Sequence, residues 1–379
     1  MFYLDRAATT PVRREVLEAM WPYLTGTFGN PSSTHGVGDA AARGLADARS
    51  AAARVLGCRP AEVVFTTGGT EGANTAVKGI ALAAPRGRHV VTSAIEHEAV
   101  LESCRYLERH HGFEVTVLPV DRDGVVHADV LADALRPDTT LVSIAHASNE
   151  VGTVQDIRAL AAVAHGVGAR FHTDAVQSAP WLPVGPGDTG ADAVSLSGHK
   201  FGAPKGSGVL VVRAGTPLEP LLHGGGQERG RRSGTEDVAG AVAVATALAL
   251  HAEERSEAAA RATATRDAVL DGVLAAVPGA IVTGSRTSRL PGHASFCFPG
   301  VHGETVLLEL EQRDVVSSSG SACAAGSTEA SHVLTALGLD EDTARSAVRL
   351  TFDGSLASSD VPVVVGAVRD AVAAVRALA

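Results

Sequence analysis

The stretch "AEVVFTTGGTEGANTAVKGIALAA", residues 61–84, decides the fold class of this chain. Its first seven residues are mostly apolar and β-branched, as in a buried strand, and an Ala-rich helical pattern follows the two glycines. The same alternation continues to residue 212, with further predicted strands at 89–95, 114–120, 139–146, 169–174, 191–197 and 206–212. Strand–helix alternation of this kind predicts an α/β fold with a doubly wound, mostly parallel sheet.

The pattern changes after residue 212. A glycine-rich segment at 223–237 is followed by two long Ala-rich helical stretches that cover roughly 237–277, and then by a smaller α+β unit. A chain of 379 residues is also too long for one ordinary core. We therefore expect a large domain at 15–255 and a small domain at 256–379, the latter together with residues 1–14.

Net charge, apolar segments and cysteine content argue against several classes of protein. The net charge of −10 and the absence of a run of five like charges argue against a nucleic-acid partner. The first residues form no apolar signal segment, and no uncharged apolar stretch reaches the length of about 18 residues expected for a membrane span. The four cysteines include no CxxC pair, so neither a zinc site nor a disulfide framework is indicated. We expect a soluble, cytoplasmic protein without a metal.

Ligands of doubly wound sheets bind beyond the carboxyl ends of the strands, and three features lie there. In "FTTGGTEGAN", residues 65–74, a strand runs through two glycines into a helix, a turn that offers backbone N–H groups to an anion such as phosphate. The spacing matches neither GxxxxGK[ST] nor GxGxxG, so no nucleotide is specifically indicated. An ordinary tight turn is the alternative.

The other two features are Asp174, which closes the strand of "FHTDAVQS", and Lys200, which follows a strand in "SLSGHKFGAPKGSG". Asp174 could instead cap a helix, and Lys200 could be a surface lysine. The two residues are one strand–connection–strand step apart, so both side chains could reach one edge of the sheet. A phosphate turn, a carboxylate and a lysine able to form a Schiff base together suggest pyridoxal 5'-phosphate.

A cysteine in "SSSGSACAAGS", residues 317–327, stands apart from these strand ends. Cys323 lies among small polar residues without apolar periodicity, where a buried structural cysteine is not expected. The segment favours a thiol on a flexible loop, and a packing cysteine in a glycine-rich turn is the alternative.

Taken in order, these segments closely resemble the cysteine desulfurases of the class V aminotransferase group, which are fold-type I pyridoxal phosphate enzymes. The resemblance runs nearly end to end, through the segments "YLDRAATTPV", "FGNPSSTHGVG", "FTTGGTEGAN", "EHEAV", "SNEVGTVQDI", "HTDAVQS", "SGHKFGAPKG", "GGGQERGRRSGTED", "SSSGSACAAGS" and "VRLTF".

The resemblance implies a role for each matching residue. Lys200 would bond to the cofactor, Asp174 would pair with the pyridine nitrogen, and His97 would stack on the ring and transfer protons. The remaining cofactor contacts would come from Gly69, Thr70, Ser197 and His199 at the phosphate and from Asn149 and Gln177 at the phenolic oxygen. Thr235 would reach the phosphate of the neighbouring subunit, which implies a homodimer. Arg349, with Asn149, would bind the substrate carboxylate.

The implied reaction removes sulfur from L-cysteine, releases L-alanine and leaves a persulfide on Cys323 for a protein acceptor. An iron–sulfur scaffold, a tRNA-thiolation relay, a biosynthetic sulfur carrier and a DNA-modification pathway are all compatible acceptors. A selenocysteine lyase or another class V transferase is the alternative within enzymes. Two alternatives are not enzymes: a non-catalytic module with this fold, and a nucleotide-binding module.

The chain departs from the family pattern at several positions. Ser148 stands where Asn is usual, "TTGGT" replaces "TSGAT" and so puts Gly69 in the place of Ala, and Thr351 and Asp353 replace Ser and Gly. We expect the Asp353 carboxylate, close in sequence to Arg349, to weaken the grip of that arginine on a carboxylate.

Overall fold

The computed structural model describes residues 1–83, 85–320 and 330–378. The strands in chain order are β1 (Phe2–Tyr3), β2 (Val63–Thr66), β3 (His89–Ser93), β4 (Glu114–Leu118), β5 (Thr139–Ser143), β6 (Arg170–Asp174), β7 (Ala193–Ser197), β8 (Gly208–Val212), β9 (Ile281–Val282), β10 (His293–Cys297), β11 (Val315–Val316) and β12 (Ala347–Thr351).

The helices between and after these strands are α1 (Arg14–Thr25), α2 (Gly36–Val55), α3 (Gly69–Ala83), α4 (Glu98–His111), α5 (Ala128–Ala134), α6 (Ile157–Gly166), α7 (Pro186–Thr189), α8 (Val238–Ala276), α9 (Gly303–Glu311), α10 (His332–Ala336), α11 (Glu341–Ala344) and α12 (Val361–Arg376).

A central sheet of seven strands has the order β2-β8-β7-β6-β5-β3-β4. Its pairs are parallel from β7 to β4, and β8 is antiparallel to both of its neighbours. The mostly parallel α/β sheet predicted from the sequence is thus confirmed. Because β6 and β7 are adjacent, Asp174 and the segment with Lys200 meet at the same edge.

Helices cover both faces of this sheet. Successive strand residues, for example Val63 and Val64 or Leu210 and Val211, belong to two different buried clusters. One cluster includes α2, α6 and the first part of α8, and the other includes α3 and α4. Burial on both faces explains why the strands are almost continuously apolar, as expected of a parallel sheet.

A third buried cluster lies outside the central sheet. It joins Leu4, the end of α8 and α12 to the antiparallel sheet β12-β10-β9, and β1 pairs with β11 beside it. The first cluster has no core residue after Leu248, and the third begins in the chain with Leu4 and resumes at Val269. The predicted division into domains stays a prediction, and its boundary at residue 255 would fall inside α8.

The two helical stretches expected over 237–277 are in fact one helix of 39 residues, α8. The polar segment near its middle suggested a break, but it contains neither glycine nor proline, and helix formers such as Ala, Glu and Arg continue through it. In the described part of the chain, no helix combines the length and apolarity needed to cross a membrane.

Candidate active site

A cavity of about 240 Å³ lies at the edge of the central sheet where β5, β6 and β7 end. Ten residues that the sequence singled out line it: Gly69, Thr70, His97, Asn149, Asp174, Gln177, Ser197, His199, Lys200 and Arg349. They lie at or just after the ends of five strands, β2, β3, β5, β6 and β7, and on β12. The structure therefore brings together almost all of the predicted site.

Asp174 is the last residue of β6 and is buried. Its Oδ1 accepts a hydrogen bond from the backbone N–H of Val176 at 2.9 Å. The next helix begins only at Pro186, so Asp174 does not cap a helix. Burial raises the pKa of the Asp174 carboxyl, whereas the charges of His97 and Lys200 and the Val176 hydrogen bond lower it in part. A cationic ligand group in the cavity would therefore favour the ionised form.

Lys200 lies in a single helical turn after β7. Its Nζ donates hydrogen bonds to the backbone oxygens of Ala7 at 2.6 Å and Ala8 at 2.8 Å. Gln177 Nε2 also donates to the Ala7 oxygen, at 3.0 Å. The N-terminal segment thus orients the lysine amine at the wall of the cavity.

His97 is the N-cap residue of α4. Its Nδ1 accepts a hydrogen bond from the backbone N–H of Ala99 at 3.0 Å. In a neutral ring this bond places the proton on Nε2. Because the ring also lines the cavity, the capping role does not exclude a role at a ligand.

The glycine turn forms a cradle at one end of the cavity. Gly68 has a φ of +147°, and α3 begins at Gly69 with backbone N–H groups that have no partner inside the helix. A Cβ on Gly69 would lie 2.6 Å from Val176 Cγ2, so a larger residue at this position would have to displace the Val176 side chain. These N–H groups and Thr70, which lines the cavity and carries a hydroxyl, form a donor set suited to a phosphate.

Two further polar residues line this part of the cavity. Ser197 is the last residue of β7, and His199 follows it in the turn. Burial, together with Lys200 and Lys205, lowers the pKa of His199 to about 4, and its Nδ1 lies 3.1 Å from Thr9 Oγ1. His199 is therefore a neutral hydrogen-bonding group at pH 7.

Arg349 reaches the cavity from β12 and is 2% exposed. Its Nη1 donates to the backbone oxygens of Asn149 at 2.7 Å and Gly320 at 3.1 Å. Its Nη2 donates to Asp5 Oδ1 at 2.7 Å. The guanidinium is held in place by three residues that are far apart in the sequence.

The structure corrects one expectation about this arginine. Asp353, expected to weaken Arg349, forms its ion pair with Arg6 at 3.2 Å and accepts hydrogen bonds from Ser355. The carboxylate on Arg349 is Asp5, because the chain after β12 turns away while the N-terminal segment runs alongside Thr351. Thr351 itself fixes that segment, since its Oγ1 accepts the Ala7 N–H at 2.9 Å.

The sequence analysis assigned no role to Asp5, Ala7 and Ala8. All three lie in "YLDRAATTPV", but backbone oxygens carry no residue-type signal and the segment precedes the sheet by about 50 residues of chain.

Ser148, which stands where the family usually has Asn, has a structural role in this chain. Its Oγ accepts hydrogen bonds from the backbone N–H groups of Glu150 and Val151 and thereby closes a turn.

Among the described residues, one predicted site residue, Thr235, is not brought to the cavity by this chain alone. Thr235 is exposed and is not part of its lining. Glu228, in the same glycine-rich segment, forms a buried ion pair with Arg49 at 2.6 Å and so anchors this loop. Cys323 lies outside the described residues.

These residues fit pyridoxal 5'-phosphate. The cavity offers an N–H cradle for a phosphate, a buried carboxylate for a cationic ring nitrogen, a lysine amine for the aldehyde and an imidazole beside them. In the described part of the chain, no cluster of side chains that could hold a metal ion is present.

Comparison with known proteins gives the same family. Residues 2–362 match the family model described as aminotransferase class-V. A protein named cysteine desulfurase IscS from Methanosarcina thermophila is 44% identical over 375 residues, which cover 99% of this chain and 92% of that protein.

Two solved structures are also similar to this chain. A NifS-like protein superimposes on this chain with a TM-score of 0.90 at 36% sequence identity. The match covers 97% of this chain and 98% of the NifS-like chain. A structure described as SspA in complex with cysteine has a TM-score of 0.82 at 38% sequence identity. This match covers 93% of this chain and 99% of the SspA chain.

Proposed function

This chain belongs to the aminotransferase class-V family and is a pyridoxal phosphate-dependent cysteine desulfurase, and we propose that its cavity residues act on L-cysteine as follows. The observation that carries the assignment of roles is that Lys200, Asp174, His97 and Arg349 line one cavity. A lysine, a carboxylate, an imidazole and a guanidinium supply the groups that this reaction needs.

Pyridoxal phosphate supplies an electron sink for bonds broken at the substrate Cα and Cβ. Lys200 would hold it covalently, and Asp174 would hold its ring nitrogen in the protonated form. The cradle of Gly69, Thr70, Ser197 and His199 would bind its phosphate, and Gln177 and Asn149 would contact its phenolic oxygen. His97 would stack against the ring.

Substrate recognition falls to Arg349, with Asn149 beside it. A guanidinium binds a carboxylate through two parallel N–H groups, and Arg349 is oriented toward the cavity by backbone oxygens. Lys200 would also be the base that removes the substrate Cα proton. Its orientation by the Ala7 and Ala8 oxygens keeps the amine at the cavity wall.

Sulfur transfer would use Cys323 as the nucleophile. Its thiolate attacks the substrate sulfur, an S–S bond forms as the Cβ–S bond breaks, and the released electron pair takes up a proton on Cβ to give L-alanine. An ordinary thiol is only a few per cent ionised at pH 7, and the sequence has no Lys, Arg or His within five residues of Cys323. The activating base therefore belongs to the cavity, and His97 is positioned there.

The active enzyme would be a homodimer in which Thr235 reaches the phosphate site of the partner subunit. Its exposure in the single chain is compatible with such a contact. The persulfide would then pass to a protein acceptor, either an iron–sulfur scaffold or a sulfur carrier.

The first experiment compares Lys200→Ala and Cys323→Ala with their matched controls Lys205→Ala and Cys58→Ala. We expect Lys200→Ala to lose the covalently bound cofactor's visible absorbance and all release of alanine from cysteine. We expect Cys323→Ala to keep the absorbance and lose alanine and persulfide formation. Both controls should keep near wild-type turnover, because Lys205 is exposed and neither Lys205 nor Cys58 lines the cavity.

Full-rate alanine release by Cys323→Ala would overturn the persulfide route. Normal turnover by Lys200→Ala would overturn the assignment of the lysine. Higher activity on selenocysteine than on cysteine would favour a lyase.

A further inference from the structure

The Arg349 guanidinium is paired with a carboxylate of its own chain. The Asp5 carboxylate accepts from Nη2 at 2.7 Å, and two backbone oxygens occupy Nη1. Within the described residues, the buried Nε has no hydrogen-bond partner. A guanidinium carries five N–H groups, so within the described residues Nε–H and one Nη2–H have no acceptor and can bind another carboxylate.

Asp5 is itself held firmly where it meets Arg349. The backbone on either side of it bonds to β12: Thr351 N–H donates to the Leu4 oxygen at 2.7 Å, and Arg6 N–H donates to the Thr351 oxygen at 3.1 Å. The backbone oxygen of Asp5 accepts from Ala8 N–H at 3.0 Å. This backbone pairing fixes the Asp5 Cα beside β12 and so keeps its carboxylate within reach of the guanidinium.

We propose that Asp5 is a positioning residue that acts as an internal carboxylate: it holds Arg349 in the binding orientation and, by sharing the guanidinium, lowers the affinity of the site for an amino-acid carboxylate. The proposal rests on the proposed role of Arg349 in substrate binding.

The physical reason is that the substrate carboxylate must share the charge of one guanidinium with a fixed carboxylate. Like charges that flank one cation in a partly buried site repel each other, and water screens them incompletely. The site therefore binds the carboxylate weakly enough to release L-alanine after sulfur transfer. Arg349 in turn stays charge-paired between turnovers, so a buried charge is never left alone.

The test measures the dissociation constant of L-alanine from the holoenzyme through the visible absorbance of the cofactor. Asp5→Asn keeps an oxygen acceptor for Nη2 and removes the charge, so we expect alanine to bind about three- to tenfold more tightly. Asp5→Ser, a second neutral acceptor, should shift the constant in the same direction.

Asp353→Asn is the matched control. It removes a carboxylate that binds Arg6 on the same N-terminal segment but pairs with a different arginine. We expect it to change alanine affinity less than twofold. Ethylamine, which is alanine without its carboxylate, should bind equally to wild type and Asp5→Asn, and the effect of Asp5→Asn should vanish in an Arg349→Gln background.

Unchanged or weaker alanine binding in Asp5→Asn would overturn the proposal, as would an equal gain for ethylamine. Release of alanine from cysteine by the wild type, measured on the same preparation, tests the proposed function separately. A wild type without that release would count against the function, while alanine and ethylamine binding would still decide the role of Asp5.

Discussion

Two buried carboxyl groups lie near one another at the candidate site and differ in their surroundings. Asp174 lines the cavity, where a cationic ligand can stabilise its charge. Glu96 is fully buried beside His97, its Oε1 accepts from Ser93 Oγ at 2.6 Å and from Ala145 N–H at 2.8 Å, and Oε2 has no partner among the described residues. Burial raises the pKa of Glu96 to about 8. Glu96 is therefore a neutral acid at pH 7 that ties the loop after β3 to the loop after β5.

Glu96 makes the folding stability of the cofactor-free protein depend on pH. Because its folded pKa of about 8 exceeds the ordinary value of 4.5, the wild type loses stability as pH rises through this window. Glu96→Gln does not titrate, so we expect its stability relative to wild type to rise by about 3 kcal/mol or more between pH 5 and pH 9. Denaturant unfolding at the two pH values measures this difference.

Glu98→Gln serves as the control for Glu96, since Glu98 is on the same loop-to-helix junction but its side chain is 44% exposed. Between the two pH values, the stability of Glu98→Gln relative to wild type should change less than that of Glu96→Gln, because water screens an exposed carboxylate. A pH-independent difference for Glu96→Gln would show that Glu96 does not titrate in this range.

At the scale of elements, the junction between β2 and α3 shapes the cradle. Gly69 is the first residue of α3 and approaches Val176, which lines the same cavity as Asp174 and Gln177. The family pattern places Ala at this position, so this chain pairs a smaller residue here with the β-branched Val176. The fit of the phosphate end of the cavity thus depends on two loops from non-adjacent strands.

Gly69→Ala tests this junction. The new Cβ would meet Val176 Cγ2 at 2.6 Å and displace that side chain, so we expect the affinity for pyridoxal phosphate to fall about tenfold, since overpacking costs about 1–3 kcal/mol. Reconstitution of the cofactor-free protein, followed by absorbance, measures the affinity. Gly36→Ala, at the first residue of α2 with no atom within 4 Å of its Cβ position, should leave it unchanged. Equal affinities for both variants would contradict the proposed cradle.

At the scale of the whole molecule, α8 connects two cores. Its first part packs in the cluster of the central sheet, and its last part packs in the cluster that includes β12 and therefore the strand of Arg349. Glu254, near its middle, forms an ion pair with Arg13 at 2.7 Å. A continuous helix of 39 residues thus links the core of the central sheet to the core that contains the strand of Arg349.

Ser256→Pro tests the continuity of this helix. Proline removes a hydrogen bond and clashes with the preceding turn, which costs about 3 kcal/mol in a helix interior. We expect a lower unfolding free energy together with a raised KM for cysteine, since Arg349 would no longer be held at a fixed distance. Steady-state kinetics on the folded fraction and denaturant unfolding measure the two effects. Ser256→Ala should change neither, and an unchanged KM in the proline variant would show that α8 does not position Arg349.

The sequence by itself determined the sheet and most of the site. Strand–helix alternation forces parallel strands whose carboxyl ends lie at one edge, so Asp174, Lys200 and the Gly69 turn had to converge there. The residue types at those ends then indicated the cofactor. His97 and Arg349 needed the family resemblance, because neither stands at a strand end with an unambiguous chemical signal.

Only the tertiary structure decided which groups meet across long sequence separations. The N-terminal segment runs beside β12 and supplies Asp5 to Arg349 and two backbone oxygens to Lys200, contacts that no local pattern specifies. The protonation of Glu96 likewise follows from complete burial, a property of packing and not of residue type. Local sequence sets backbone conformation and the direction of each side chain, whereas charge pairing and desolvation depend on what the rest of the chain places around it.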